Sequence, residues 1–122
     1  MNQTEDIKVN EVVSVYDGDT LRVRINSFPN WLGDDMPCRI YGIDTPEIRG
    51  VSEEEKVLGR QARDLVKSVL ASAQDIRIDI LGKGKYFRVI VKVKADGVDI
   101  GDHLISQGLA KPYDGGVKEP WF

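Results

Sequence analysis

Glu11-Val-Val-Ser-Val-Tyr16-Asp17-Gly18-Asp19-Thr20-Leu21-Arg-Val-Arg-Ile25 reads as two strands joined by a tight turn. Leu21, Val23 and Ile25 alternate with Arg22 and Arg24, the period of two that buries one face of a strand. Asp17-Gly18-Asp19 has the chemistry of a hairpin turn, because Asp-Gly pairs tolerate the backbone angles that such turns need. The chain is therefore β-rich from its start.

Three more strands follow outward from this hairpin. Pro37 to Ile43 ends where Asp44-Thr45-Pro46 makes the chain turn. Residues 76–80 alternate again, and Phe87, Val89, Val91 and Val93 share one parity. Between the third and fourth strands the period changes. Leu58, Ala62, Leu65, Val66, Val69 and Leu70 make a stripe on one face of a long helix, and Ser52 with Glu55 fits a capping box at its start. Arg60, Arg63 and Lys67 fall off the stripe, as a solvated face does. Asp96-Gly97 closes the fifth strand, and Ile100, Leu104 and Ile105 predict a short helix stopped by Gly108. The order predicts an α+β, mainly β fold: a five-stranded antiparallel barrel, with the long helix between strands 3 and 4 and the short one after strand 5.

With 122 residues and 41% hydrophobic content, one core is expected, hence one domain over 1–122 with its core at about 10–111 and an extended tail at 112–122. Seventeen Lys and Arg against 20 Asp and Glu give a net charge of −3, which argues against coating nucleic acid through a bulk positive field. A local basic patch would have to hold any polyanion. Cys38 is alone, so no intramolecular disulfide forms, and a small core residue is expected there. The N-terminus has no basic segment followed by an apolar run, and no stretch is long and apolar enough to cross a bilayer. A cytoplasmic protein is expected unless a leader has been removed, monomeric and without a membrane or obligate protein partner.

The chemistry concentrates in Asp17, Asp19 and the segment Arg39-Ile-Tyr-Gly-Ile-Asp44-Thr45-Pro46-Glu47. Carboxylates set beside apolar strands are costly unless a cation compensates them, and oxygen ligands without nearby Cys or His favour Ca²⁺ or Mg²⁺ over zinc. Glu47, behind a Pro-stiffened turn, is placed to activate water. Arg39 and Arg88 can point to one pole of the barrel, where guanidinium forks bind phosphate. Each also has a plain reading: turn chemistry for Asp17 and Asp19, an exposed loop for Glu47, and outward strand arginines or salt-bridge partners of the same aspartates for the other two. Tyr86 and Tyr113 either stack on bases or close gaps at the rim. His103, the only histidine, sits in the short helix, which removes histidine-based nuclease and serine-triad mechanisms.

Together, Val15-Tyr-Asp-Gly-Asp-Thr20, Arg39 to Glu47, Lys85-Tyr-Phe-Arg88 and Gln107-Gly-Leu-Ala-Lys111 resemble the staphylococcal nuclease (thermonuclease) family, in this order and at comparable separations from about Val12 to Lys111. The resemblance implies a Greek-key OB-fold and Ca²⁺-dependent hydrolysis of DNA and RNA, preferably single-stranded, to 3′-phosphorylated products. It implies Asp19, Asp44 and the Thr45 backbone carbonyl as calcium ligands, with Asp17 as an outer acid. Glu47 is implied as general base, Arg39 and Arg88 as phosphate-binding arginines, and Lys85 and Tyr86 as contacts to a terminal phosphate. Phe87 stands where the type member has glycine, and Gly84 where it has aspartate. The long C-terminal helix of the type member has no counterpart before Phe122, so weaker substrate affinity is expected. A non-catalytic nucleic-acid-binding module, or a domain that recruits a protein, are the competing expectations.

Overall fold

The computed structural model describes residues 4–122. Its strands are β1 (Ile7–Lys8), β2 (Glu11–Asp17), β3 (Thr20–Arg24), β4 (Met36–Ile40), β5 (Ile43–Asp44), β6 (Ile76–Lys83), β7 (Val89–Ala95), β8 (Val98–Asp99) and β9 (Lys111–Pro112). Helix α1 spans Asn30–Gly33, α2 Glu53–Ser72 and α3 Ile100–Ser106. The main sheet runs β1-β6-β7-β4-β3-β2, with β8 on β7, while β5 pairs with β9 apart from it. Its two outer strands are successive parts of one stretch of chain. At their junction the Val9 amide donates to Ile76 O and the Asn10 amide to Arg24 O, so this stretch bonds to both sides of the curled sheet.

Strands β2, β3, β4, β6 and β7 overlap the five expected stretches and α2 lies between β5 and β6, but the main sheet has seven strands, since the two-residue β1 and β8 join it. The antiparallel expectation needs one correction: β4 and β7 run parallel, with Cys38 opposite Val89 and Ile40 opposite Val91. Parallel neighbours need a long crossover, and α2 with β6 supplies it. Two boundaries also differ. The third strand stops at Ile40 because Gly42, at φ 83°, turns the chain, and Ile43–Asp44 leaves to pair with Lys111–Pro112. Phe87 does not share the inward parity of Val91 and Val93; it lies in a tight turn closed by the Arg88 amide donating to Lys85 O at 3.1 Å, and is exposed.

Leu21, Val23, Cys38, Ile40, Val91 and Val93 bury the inner face, and Ala62, Val66 and Leu70 of α2 cover it with Ile100 and Leu104 of α3. Burial of each of the larger side chains contributes about 1.5–3 kcal/mol. Cys38 is fully enclosed, and burial pushes its thiol up to about 12, so it is an unreactive core residue. The capping box is half formed: Ser52 Oγ accepts from the Glu55 amide at 3.3 Å, but the Glu55 carboxylate is used elsewhere. His103 is half-buried in α3, and Gly108, at φ 73°, follows the end of that helix. Among the described residues no helix is long and apolar enough to cross a membrane.

Candidate active site

The first hairpin turn is shaped by contact rather than by backbone angle. Gly18 has no positive φ, but a Cβ there would lie 2.9 Å from both Ala62 Cβ and Thr45 Cγ2. Only glycine lets the turn press between α2 and the segment carrying Thr45. Within it the Asp19 amide donates to Asp17 Oδ1 at 3.1 Å, and Thr20 Oγ1 donates to Asp19 Oδ1 at 3.0 Å. Antiparallel pairing sets Arg39 opposite Thr20. The guanidinium therefore reaches Asp19 Oδ2 at 3.1 Å, with the two side chains only 16% and 11% exposed. It also donates to Ile40 O at 3.0 Å and Ile43 O at 3.2 Å, tying the hairpin to the corner that leads to Asp44.

Asp17 is the strained acid. Burial, reinforced by the Asp19 carboxylate, pushes its carboxyl up to about 7, although the Asp19 amide opposes the shift. The folded chain thus holds a proton on Asp17 that the unfolded chain releases near pH 4, so the contribution of this group to stability is most favourable below that value and is lost as the pH rises through about 7. Asp17→Asn keeps an acceptor for the Asp19 amide and removes the charge. In EDTA it is expected to stabilise the protein on the order of 2 kcal/mol at pH 7.5 and by much less at pH 4.5, measured by urea unfolding.

Beyond the Gly42 corner, Asp44 and Thr45 are buried and share one cleft of about 320 Å³ with Glu47, Glu55, Lys118 and Trp121. Glu47 is held through its backbone. Its amide donates to Glu55 Oε2 at 2.9 Å, and a Cβ on Gly59 would lie 2.6 Å from Glu47 O and 2.9 Å from Pro46 O, so α2 touches this segment at its bare glycine. The Glu47 carboxylate itself is half-exposed. Partial burial raises its pKa from the usual glutamate range; the Asp19, Asp44 and Glu55 carboxylates add to the rise, and Lys118 opposes it. That shared influence links Glu47 to both aspartates.

Arg39 lines a shallow depression with Ile90 and Tyr113, whereas Arg88 lines a groove with Tyr16, Thr20, Arg22 and Tyr86. Arg88 thus shares its groove with Thr20 but with none of Asp17, Asp19, Arg39, Asp44 or Glu47, and its Nε is buried with no hydrogen-bond partner among the described residues. Lys85, Tyr86 and Phe87 are exposed just before it. Tyr86 and Phe87 have φ of 57° and 64°, the left-handed region in which glycine is at ease. Phe87 therefore keeps a backbone shape suited to glycine and bears its strain, with Lys83 Nζ 5.5 Å from its ring. Left-handed geometry costs about 1–2 kcal/mol in a residue with a Cβ, and glycine returns part of that gain as chain entropy. Phe87→Gly is accordingly expected to stabilise the protein by about 0.5–1 kcal/mol, read as a rise in Tm.

Three side chains in this site escape a reading of motifs. Glu55 was expected to cap its helix and instead fixes Glu47. Lys118 Nζ stands 3.4 Å from Asp44 Oδ1 and 3.9 Å from Glu47 Oε1. Trp121 Nε1 donates to Asp44 Oδ2 at 3.3 Å. Tyr113, expected at a substrate surface, lies along the 630 Å³ cleft beside Tyr41 and Lys111, and its hydroxyl donates to Gly116 O at 2.7 Å. The buried all-oxygen donors Asp19, Asp44 and Thr45 suit a hard cation in chemistry. Among the described residues no three His, Cys, Asp or Glu side chains converge into a ready ligand set, and Arg39 and Lys118 supply the positive charge beside the acids.

Residues 37–119 match the family model described as "Staphylococcal nuclease homologue". Among curated proteins, the chain is 30% identical over 100 residues to a protein named probable endonuclease LCL3 from Pyricularia oryzae, covering 73% of this chain and 38% of that one. It is 29% identical over 116 residues to endonuclease Htp3 from Saprolegnia parasitica, covering 84% of this chain and 54% of that one. The chain thus spans about two-fifths to a half of the length of these relatives. The matched region takes in Arg39, the Asp44–Glu47 corner, the Lys85–Arg88 turn and most of the tail, and on that extent the chain belongs to the staphylococcal nuclease family.

Proposed function

We propose that the chain is a Ca²⁺-dependent phosphodiesterase that cleaves DNA and RNA, preferring single strands and leaving 3′-phosphorylated products. One observation carries the reading most: a mostly buried arginine bonded to Asp19 and to the corner carbonyls, beside a cleft shared by Asp44, Thr45 and Glu47. Asp19, Asp44 and the Thr45 carbonyl would hold the cation, with Asp17 behind them. A bound Ca²⁺ supplies charge neutralisation at a phosphate oxygen. Glu47 takes a proton from the attacking water. Arg39 offers guanidinium hydrogens to the phosphate and stabilises the charge that grows on its oxygens. Arg88, whose Nε has no internal partner, serves the same phosphate from the Thr20 side. Lys85, Tyr86 and Tyr113 contribute charge and stacking faces to a single strand.

The test is cleavage of end-labelled single-stranded DNA and RNA by the purified protein with Ca²⁺, Mg²⁺ or EDTA. Cleavage with Ca²⁺ that EDTA abolishes supports the proposal. Strand binding with no cleavage under any of the three conditions instead supports a non-catalytic nucleic-acid-binding module. The engagement of Asp44 by Lys118 and Trp121 favours that second reading.

A further inference from the structure

Both carboxylate oxygens of Asp44 are taken by the segment after β9. Lys118 Nζ faces Oδ1 at 3.4 Å and Trp121 Nε1 donates to Oδ2 at 3.3 Å, while the same ammonium lies 3.9 Å from Glu47. The segment folds on itself to do this. Lys111 Nζ donates to Pro120 O at 3.0 Å and stands 4.4 Å from the Trp121 ring centroid, and Lys118 Nζ stands 5.5 Å from that of Tyr113. Gly115, at φ 96°, makes the bend between Tyr113 and Lys118. Trp121 is partly buried, but Val117, at 96% exposed, adds no apolar burial to these contacts. The Lys118 side chain is 44% exposed although Asp44 is buried, so water competes for its ammonium, and exposed cation–π pairs contribute about 0.5–1 kcal/mol each. A closure built of such contacts is reversible.

We propose that residues 113–121 form a strap whose Lys118 ammonium and Trp121 indole close the Asp44–Glu47 cleft, so that strap docking and divalent-cation binding exclude one another. The proposal rests on the functional reading above and adds to it a regulatory device. Lys118 supplies the positive charge that Asp44 lacks when no cation is bound, and a cation must displace it. The apparent cation affinity is then lowered by the fraction of molecules in which the strap is docked.

Calorimetric Ca²⁺ titration of the full chain tests this, beside Lys118→Ala and Trp121→Phe. The second variant changes no charge and keeps a ring for Lys111, but it removes the Asp44 hydrogen bond. Both are expected to bind Ca²⁺ about 3- to 10-fold more tightly than the parent, the effect of losing one or two weak contacts. In a Trp31→Phe background, Trp121 emission should change over the same Ca²⁺ range. Equal affinity in the three proteins with unchanged Trp121 emission overturns the strap while leaving Ca²⁺-dependent cleavage to stand. If no form binds Ca²⁺, the metal reading falls and the strap falls with it. Tighter binding in Lys118→Ala alone identifies simple charge repulsion and overturns the exclusion.

Discussion

Arg39→Ala is expected to cost about 3–5 kcal/mol of stability and to reduce strand cleavage roughly 10²–10³-fold. The two losses have one origin. Asp19 is buried, and the guanidinium at 3.1 Å is the cation facing it, so truncation leaves a buried charge with only the Thr20 hydroxyl as a donor and no compensating cation. The Ile40 and Ile43 carbonyls lose donors at the same time, which frees the corner that aims Asp44. Arg39→Lys restores a charge but not a planar fork able to reach three acceptors, so it should recover part of the stability and little of the activity. Adding Asp19→Asn to Arg39→Ala separates the effects. Urea unfolding of the double variant should show most of the folding loss relieved, because the buried charge is gone, while cleavage stays lost. An Arg39→Ala protein as stable as the parent would show that Asp19 finds its compensation elsewhere.

Glu47→Gln is expected to act in the opposite way on stability, changing it by less than about 0.5 kcal/mol while lowering cleavage about 10²–10⁴-fold. Its side chain is half-exposed, and what holds the residue is its backbone amide on Glu55, which the substitution leaves intact. A water-activating carboxylate must be ionised, and burial with neighbouring acids raises its pKa. Cleavage by the parent should therefore fall as the pH drops and Glu47 becomes protonated, and the residual activity of Glu47→Gln should lack this limb. Rates measured from pH 5 to 9 at saturating Ca²⁺ check both expectations. Undiminished cleavage by Glu47→Gln would remove the residue from the chemistry.

The strands and helices were legible because their signals are local. Alternation at Leu21–Ile25 and the stripe through Ala62, Val66 and Leu70 each express one buried face, and a face repeats within a few residues. Asp19 and Arg39 were legible as candidates, and antiparallel pairing then brought Arg39 opposite Thr20. What could not be read was contact at a distance. Phe87 lost its inward parity because two left-handed residues turn the backbone before β7 begins, a conformation that no alternation encodes. Lys118 and Trp121 lie more than 70 residues from Asp44 in a segment without periodicity, so their bond to it has no local trace. Glu55 fits a capping pattern well enough to hide its real partner. The parallel run of β4 beside β7 likewise depends on where the crossover lands, not on either strand's composition.

Gly59 looks like an obvious place to improve this protein, since alanine in the middle of a long helix ordinarily adds up to about 1 kcal/mol. Here a methyl group would meet Glu47 O at 2.6 Å. Either the helix or the Pro46–Glu47 segment must retreat, and a shift of about 1 Å in a reacting group is enough to lose roughly a hundredfold in rate. Any thermostabilisation scheme that ranks substitutions by helix propensity will select this position early and displace the proposed active-site segment while doing so. The softness of the helix at Gly59 is thus a record of how closely the Pro46–Glu47 segment packs on it, and selection for heat resistance alone would tend to erase it.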